Sequence, residues 1–276
     1  LEAANLEEDY CPVSNGRLFF LKAGRGTPLL FVHGFCLDHR MWESQMDYFS
    51  KFYTCISVDL RGFGKSSLPA DQSYSNHEDL FELLAFLQIN QPVILIGLSM
   101  GARAVVNFAL MYPQKTMAIV LVDGAIDGFA FKDFNLAHIY SVGRERGAGV
   151  ANRMWLDHPI FEPARKNPRV FQKLIEQVMS YSGWHWANKN PIRILTPPAI
   201  EQLGNISLPT LILIGQLDIP DFKALAQLLN SEISGSSLIE VPGAGHMSNM
   251  EAPDVFNDLV DQFLIRTQHG TDLCAP

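Results

Sequence analysis

Apolar residues in this chain gather into short continuous runs that end at Gly or beside Asp. They are PLLFVHG (28–34), FYTCISVDL (52–60), PVILIGLS (92–99), MAIVLVDGA (117–125), TLILIG (210–215) and SLIEVPG (237–243). Runs this apolar predict strands covered on both faces, as in a parallel sheet. Near the start, VSNGRLFF sets Asn15-Gly16 between two strand-like runs and predicts a tight hairpin.

Between the runs the period becomes helical. SNHEDLFELLAFLQ offers Ser75 and Glu78 as a capping box and places Leu80, Leu83, Leu84 and Leu87 on one face. After residue 99, Ala102, Val105, Val106 and Ala109 recur at helical spacing, with Phe108 and Met111 beyond that stripe, which predicts a helix buried nearly all round. Phe256, Leu259, Val260 and Phe263 form a last stripe. The alternation predicts an α/β fold built on a mostly parallel, doubly wound sheet.

The alternation stops between Ile126 and Leu208, where proline-punctuated helical pieces carry many aromatic residues. The chain therefore divides into a core of residues 1–125 and 209–276 and a helical cap of residues 126–208. The cap follows the strand ending near Asp123, at the edge where such sheets bind ligands. Phe35, Trp155, Trp184 and Trp186 are the candidate pocket walls, with His185 between the last two.

Composition narrows the choice. Of 276 residues, 47% are hydrophobic and 18% charged, enough for a large core and too apolar for wholesale disorder. A net charge of -8 argues against nucleic acid or an anionic membrane as partner. No apolar run approaches the roughly 20 residues of a membrane span. The acidic start, LEAANLEEDY, lacks the apolar stretch of a signal peptide. Cys11, Cys36, Cys55 and Cys274 have neither CxxC nor zinc-type spacing and read as reduced thiols, which implies a cytoplasmic protein. No metal is expected, and GFG at 62–64 does not make a dinucleotide loop, so no cofactor is expected either.

The remaining chemistry centres on GLSMG (97–101), a G-x-S-x-G pattern between a strand and a helix. That pattern places Ser99 on a sharp turn, lifts its hydroxyl above the sheet edge and sets it beside a helix N-terminus. HGFCLDHRMW (33–42), DLRGFGKSS (59–67), GQLDIPD (215–221) and GAGHMSNME (243–251) follow in an order that, with the GLSMG turn, resembles the α/β-hydrolase family along nearly the whole chain. The pieces are most similar to capped esterases, enol-lactone hydrolases and carbon–carbon bond hydrolases. The departure at Ala102, where many relatives carry glycine, is mild, and Ser at 99 sets the chain apart from branches that attack through a carboxylate.

The resemblance implies a catalytic Ser99, His246 and Asp218, with the backbone amides of Phe35 and Met100 holding an oxyanion. A serine hydroxyl needs a base, and His246 stands in a Gly-rich loop after the last strand, where Ser248 and Glu251 can cap the helix behind it. The base needs an acid: Asp218 follows the fifth of the long runs, Asp123 follows the fourth and stays open as a rival, and Asp221 reads as a helix N-cap. Asp59 ties its own turn, the backbone rather than the ring of His33 serves the oxyanion segment, and Cys36 is a small apolar residue. The expected activity is hydrolysis of a small carboxylic ester or lactone with an apolar or aromatic body, through an acyl-enzyme that water resolves. Two alternatives stand beside it: carbon–carbon bond hydrolysis of a vinylogous diketone acid, and a ligand receptor on the same fold with slow turnover.

Overall fold

The computed structural model describes residues 6–70 and 72–269, the side chain of His269 excepted, and Cys274 lies outside them. The strands are β1 (Glu7–Val13), β2 (Gly16–Ala23), β3 (Pro28–Val32), β4 (Thr54–Val58), β5 (Val93–Leu98), β6 (Thr116–Val122), β7 (Thr210–Gly215) and β8 (Ser237–Val241). They form one sheet in the order β1-β2-β4-β3-β5-β6-β7-β8. The pairs β1–β2 and β2–β4 are antiparallel and all others parallel, so the doubly wound core carries an antiparallel edge. At the predicted hairpin Val13 pairs with Gly16, and Asn15 takes a φ of 63°, which Asn tolerates well.

The runs predicted as doubly covered strands are so at β3, β5 and β7, where every residue is buried. β8 departs from the expectation: Ser237, Leu238 and Ile239 are half-exposed and Glu240 is exposed, because it closes the sheet as an edge.

The helices are α1 (Glu43–Phe49), α2 (Asn76–Phe86), α3 (Met100–Met111), α4 (Ala137–Arg146), α5 (Ala148–Leu156), α6 (Glu162–Arg165), α7 (Pro168–Ser180), α8 (Trp184–Ala187), α9 (Pro220–Glu232), α10 (Ser248–Glu251) and α11 (Pro253–His269). α3 is buried on all sides from Met100 to Ala109 except at Arg103, which fixes it under the middle of the sheet. No helix of the described residues is long and apolar enough to cross a membrane.

α4 to α8 all lie between β6 and β7, and one isolated bridge, Tyr74 to Ile192, is the β pairing of this helical insertion among the described residues. Two predicted caps are redirected by it. Ser75 stands at the N-cap of α2 but makes no capping bond, and Glu78 pairs with Arg193 of the insertion instead of reaching back. Asp221 is not an N-cap, since Ile219 holds that position and Pro220 begins α9. Its carboxylate accepts the N–H groups of Lys132, Asp133 and Phe134 at 3.2, 2.7 and 2.7 Å, fastening the start of the insertion to the core.

Candidate active site

The turn after β5 explains the glycines around Ser99. A Cβ on Gly97 would collide with the Gly101 carbonyl, and a Cβ on Gly101 with the Val32 carbonyl. Ser99 itself sits at φ 54°, ψ -113°, a conformation costing about 1–3 kcal/mol that persists only where neighbours enforce it. They do so through its backbone: its N–H donates to the Val122 carbonyl at 2.9 Å, and its carbonyl accepts from Ala102 and Ala125 at 3.0 and 3.1 Å. Met100 begins α3, so its N–H has no acceptor within the helix.

His246 lies in the loop between β8 and α10, buried, with Nδ1 2.8 Å from Asp218 Oδ2. Asp218 Oδ1 accepts the Ile219 N–H at 2.7 Å. A carboxylate facing Nδ1 fixes the proton there and leaves Nε2 as the acceptor. Burial acts to lower the His246 pKa, but the charge and hydrogen bond of Asp218, with the charges of Asp123 and Glu251, outweigh it and hold the ring above the ordinary value of 6.5.

Asp123, the rival acid, has no hydrogen bond to His246 among those the structure shows. Its Oδ1 accepts the Gly215 N–H at 2.7 Å, and its Oδ2 accepts the Ser248 hydroxyl at 2.6 Å and the Ser248 N–H at 3.3 Å. It therefore stitches the ends of β6 and β7 to the histidine loop. Burial first, and the Asp218 charge second, push its pKa well above the usual carboxylate range.

The predicted Ser248–Glu251 cap is thus half replaced. Ser248 serves Asp123, while Glu251 accepts the Gly245 N–H at 3.0 Å and the Met247 N–H at 3.1 Å, the two amides flanking His246. Burial raises the Glu251 pKa.

The segment carrying Phe35 is braced by a ring whose use the sequence left unread. His33 Nε2 accepts the Leu60 N–H at 2.9 Å, and Nδ1 lies 2.8 Å from the Gly34 carbonyl, so the imidazole is a neutral spacer between β3 and the turn after β4. Asp59 does tie that turn, accepting from Lys65 N–H, and also receives the N–H and Nδ1 of His39. Asp38, His39 and Asp59 bring possible metal ligand atoms within 4.8 Å of one another, but Asp59 is spent on His39, and Arg40 holds Asp38. Burial pushes the Cys36 thiol well up, which suits an inert apolar residue.

Ser99, Met100, Phe35 and His246 line one cavity of about 410 Å³, a size suited to a small ligand. Of the aromatic residues named from sequence, Trp155 lines it, whereas Trp184 and Trp186 do not. His185 takes their place. Successive residues of a helix point about 100° apart, so with His185 facing the cavity its neighbours turn away. Trp186 is fully buried behind Phe35, its Nε1 donating to Asn152, and Trp184 is half-exposed. Phe134, Tyr140 and Phe222 add to the apolar wall and Arg103 adds a charge. Their apolar or polar identity gave no hint of which way they face.

The sequence matches the model of the Alpha/beta hydrolase family over residues 29–259. It is 29% identical over 245 residues to 3-oxoadipate enol-lactonase 2 of Acinetobacter baylyi, covering 86% of this chain and 88% of that one. Among solved structures, a thermophilic esterase from Thermogutta terrifontis, with malate bound, superposes with a TM-score of 0.78 at 24% identity over 95% of this chain and 99% of that one. The enol-lactonase of Burkholderia xenovorans LB400 does so with a TM-score of 0.79 at 21% identity over 93% and 100%.

Proposed function

The chain belongs to the alpha/beta hydrolase family, and from that premise we propose that it is a serine hydrolase of small carboxylic esters or lactones. One observation carries the reading: the buried His246–Asp218 pair at 2.8 Å opens on the same cavity as a serine held on a strained turn. Ser99 Oγ attacks the acyl carbon while His246 Nε2 takes its proton. The N–H groups of Phe35 and Met100 donate to the tetrahedral oxyanion, each donor of this kind contributing about 3–4 kcal/mol. His246 then protonates the leaving alcohol, and a water it deprotonates releases the acid from Ser99. The helical insertion, residues 126–208, acts as the cap that closes the cavity and presents an apolar or aromatic wall to the substrate.

The test needs no knowledge of the substrate. A fluorophosphonate should label the protein stoichiometrically at Ser99, located by peptide mass spectrometry, and should leave Ser99→Ala unlabelled. Labelling elsewhere, or none, defeats the proposal.

A further inference from the structure

Arg103 is the one side chain of fixed charge on the cavity wall, and no Asp or Glu lines that wall among the described residues. It stands one helical turn after Ser99 on α3. Its ion pair is loose: Nη1 lies 3.5 Å from Asp127 Oδ1, while Asp127 Oδ2 accepts the Asn107 amide at 3.1 Å. A guanidinium has five N–H donors, so this one, which lines the cavity, carries donors beyond the one facing Asp127.

A second donor comes from the insertion. Asn190 Oδ1 accepts the Tyr74 hydroxyl at 3.1 Å and the Ile192 N–H at 3.2 Å. Those two bonds orient the amide and leave its NH₂ as the free end of a residue that lines the same cavity. Tyr74 feels both groups. Burial pushes the Tyr74 phenol up to about 12, with the Asn190 hydrogen bond and then the Arg61 and Arg103 charges working against it. Burial, helped by the Arg103 charge, also lowers His185 to about 4, so that ring is neutral at neutral pH and the guanidinium is the lasting positive charge.

A guanidinium with spare donors in an apolar cavity is matched best by a carboxylate, through paired charge-assisted hydrogen bonds. We propose that the substrate is an acid ester or acid lactone whose free carboxylate, a few methylene groups from the scissile carbonyl, sits between Arg103 and Asn190. This rests on the hydrolase reading above and narrows it to anionic substrates.

The experiment compares monomethyl and dimethyl glutarate at pH 7.5, following acid release, with glutarate protection of Ser99 against the fluorophosphonate measured alongside. The wild type should favour the monoester at least tenfold in kcat/KM, mainly through KM. Arg103→Met should bring that ratio to about one and abolish protection by glutarate. Arg103→Lys should restore part of the ratio, and Asp127→Asn, which frees the guanidinium, should keep it at or above the wild-type value. A wild type without preference, or a ratio that Arg103→Met leaves unchanged, overturns the proposal. If neither ester turns over, protection decides: none in the wild type overturns it. Absent labelling of wild-type Ser99 instead removes the hydrolase reading itself.

Discussion

Replacing Asp218 by Asn tests the site sharply, because the surroundings dictate how the new amide points. The Ile219 N–H donates to Oδ1 at 2.7 Å, and His246 Nδ1 faces Oδ2 at 2.8 Å. An amide keeps its carbonyl on the Ile219 N–H, since NH₂ there would set donor against donor. Its NH₂ then meets Nδ1, which has to accept, and the ring proton moves to Nε2. Nε2 then offers Ser99 a proton where the proposed mechanism needs it to take one. Loss of the working tautomer in such a triad costs about ten-thousand-fold in turnover, or about 5.5 kcal/mol at 1.36 kcal/mol per tenfold. The melting temperature should barely move. Asp123→Asn should behave in the opposite way. All three of its bonds come from donors on Gly215 and Ser248, so an NH₂ confronts at least one of them, costing about 1–3 kcal/mol of stability. Turnover should stay within about tenfold of the wild type, the His246–Asp218 pair being untouched. Steady-state rates on a chromogenic ester and thermal melts of both variants give the answer. The reasoning fails if Asp123→Asn abolishes turnover at an unchanged melting temperature while Asp218→Asn remains active.

The pH profile should show the raised His246 pKa directly. Because the proposed base works unprotonated, kcat/KM should fall as pH drops through a midpoint above 6.5. A profile level to about pH 5 contradicts this. Ser99→Gly relieves a φ of 54° and should raise stability by about 1 kcal/mol while ending turnover; a lower melting temperature refutes the strain. In Glu251→Gln a single acceptor oxygen replaces two, leaving the Gly245 or the Met247 N–H unpaired, so stability should drop by about 1–3 kcal/mol and turnover with it, as melts and rates will show.

The strands were legible because burial on both faces leaves an unmistakable apolar run, and the edge position of β8 was not, because edge or centre is a matter of partners. The serine turn was legible because sterics alone demand Gly97 and Gly101. Asp218 and Asp123 looked alike from sequence, as both follow strands. What separates them is that Gly215 and Ser248 occupy Asp123, contacts 92 and 125 residues away along the chain. The same limit explains the failed caps: Glu78 and Ser248 found partners across the fold, Arg193 and Asp123, that local spacing cannot reveal. The cavity wall depended on the phase of α8, a helix of one turn, where composition carries no information on direction.

The amides gathered by Asp221 belong to the main chain of residues 132–134, whatever side chains stand there. A clasp of this kind is blind to sequence. The insertion can drift, or be exchanged outright, so long as the incoming segment offers a bend with its amides facing the same way. For protein engineers that makes the core a reusable chassis and the insertion a replaceable part. The clasp also lies three residues from Asp218, so strain from a badly seated graft travels a short path to the partner of His246, and a loss of rate should announce a poor fit before any loss of folding does.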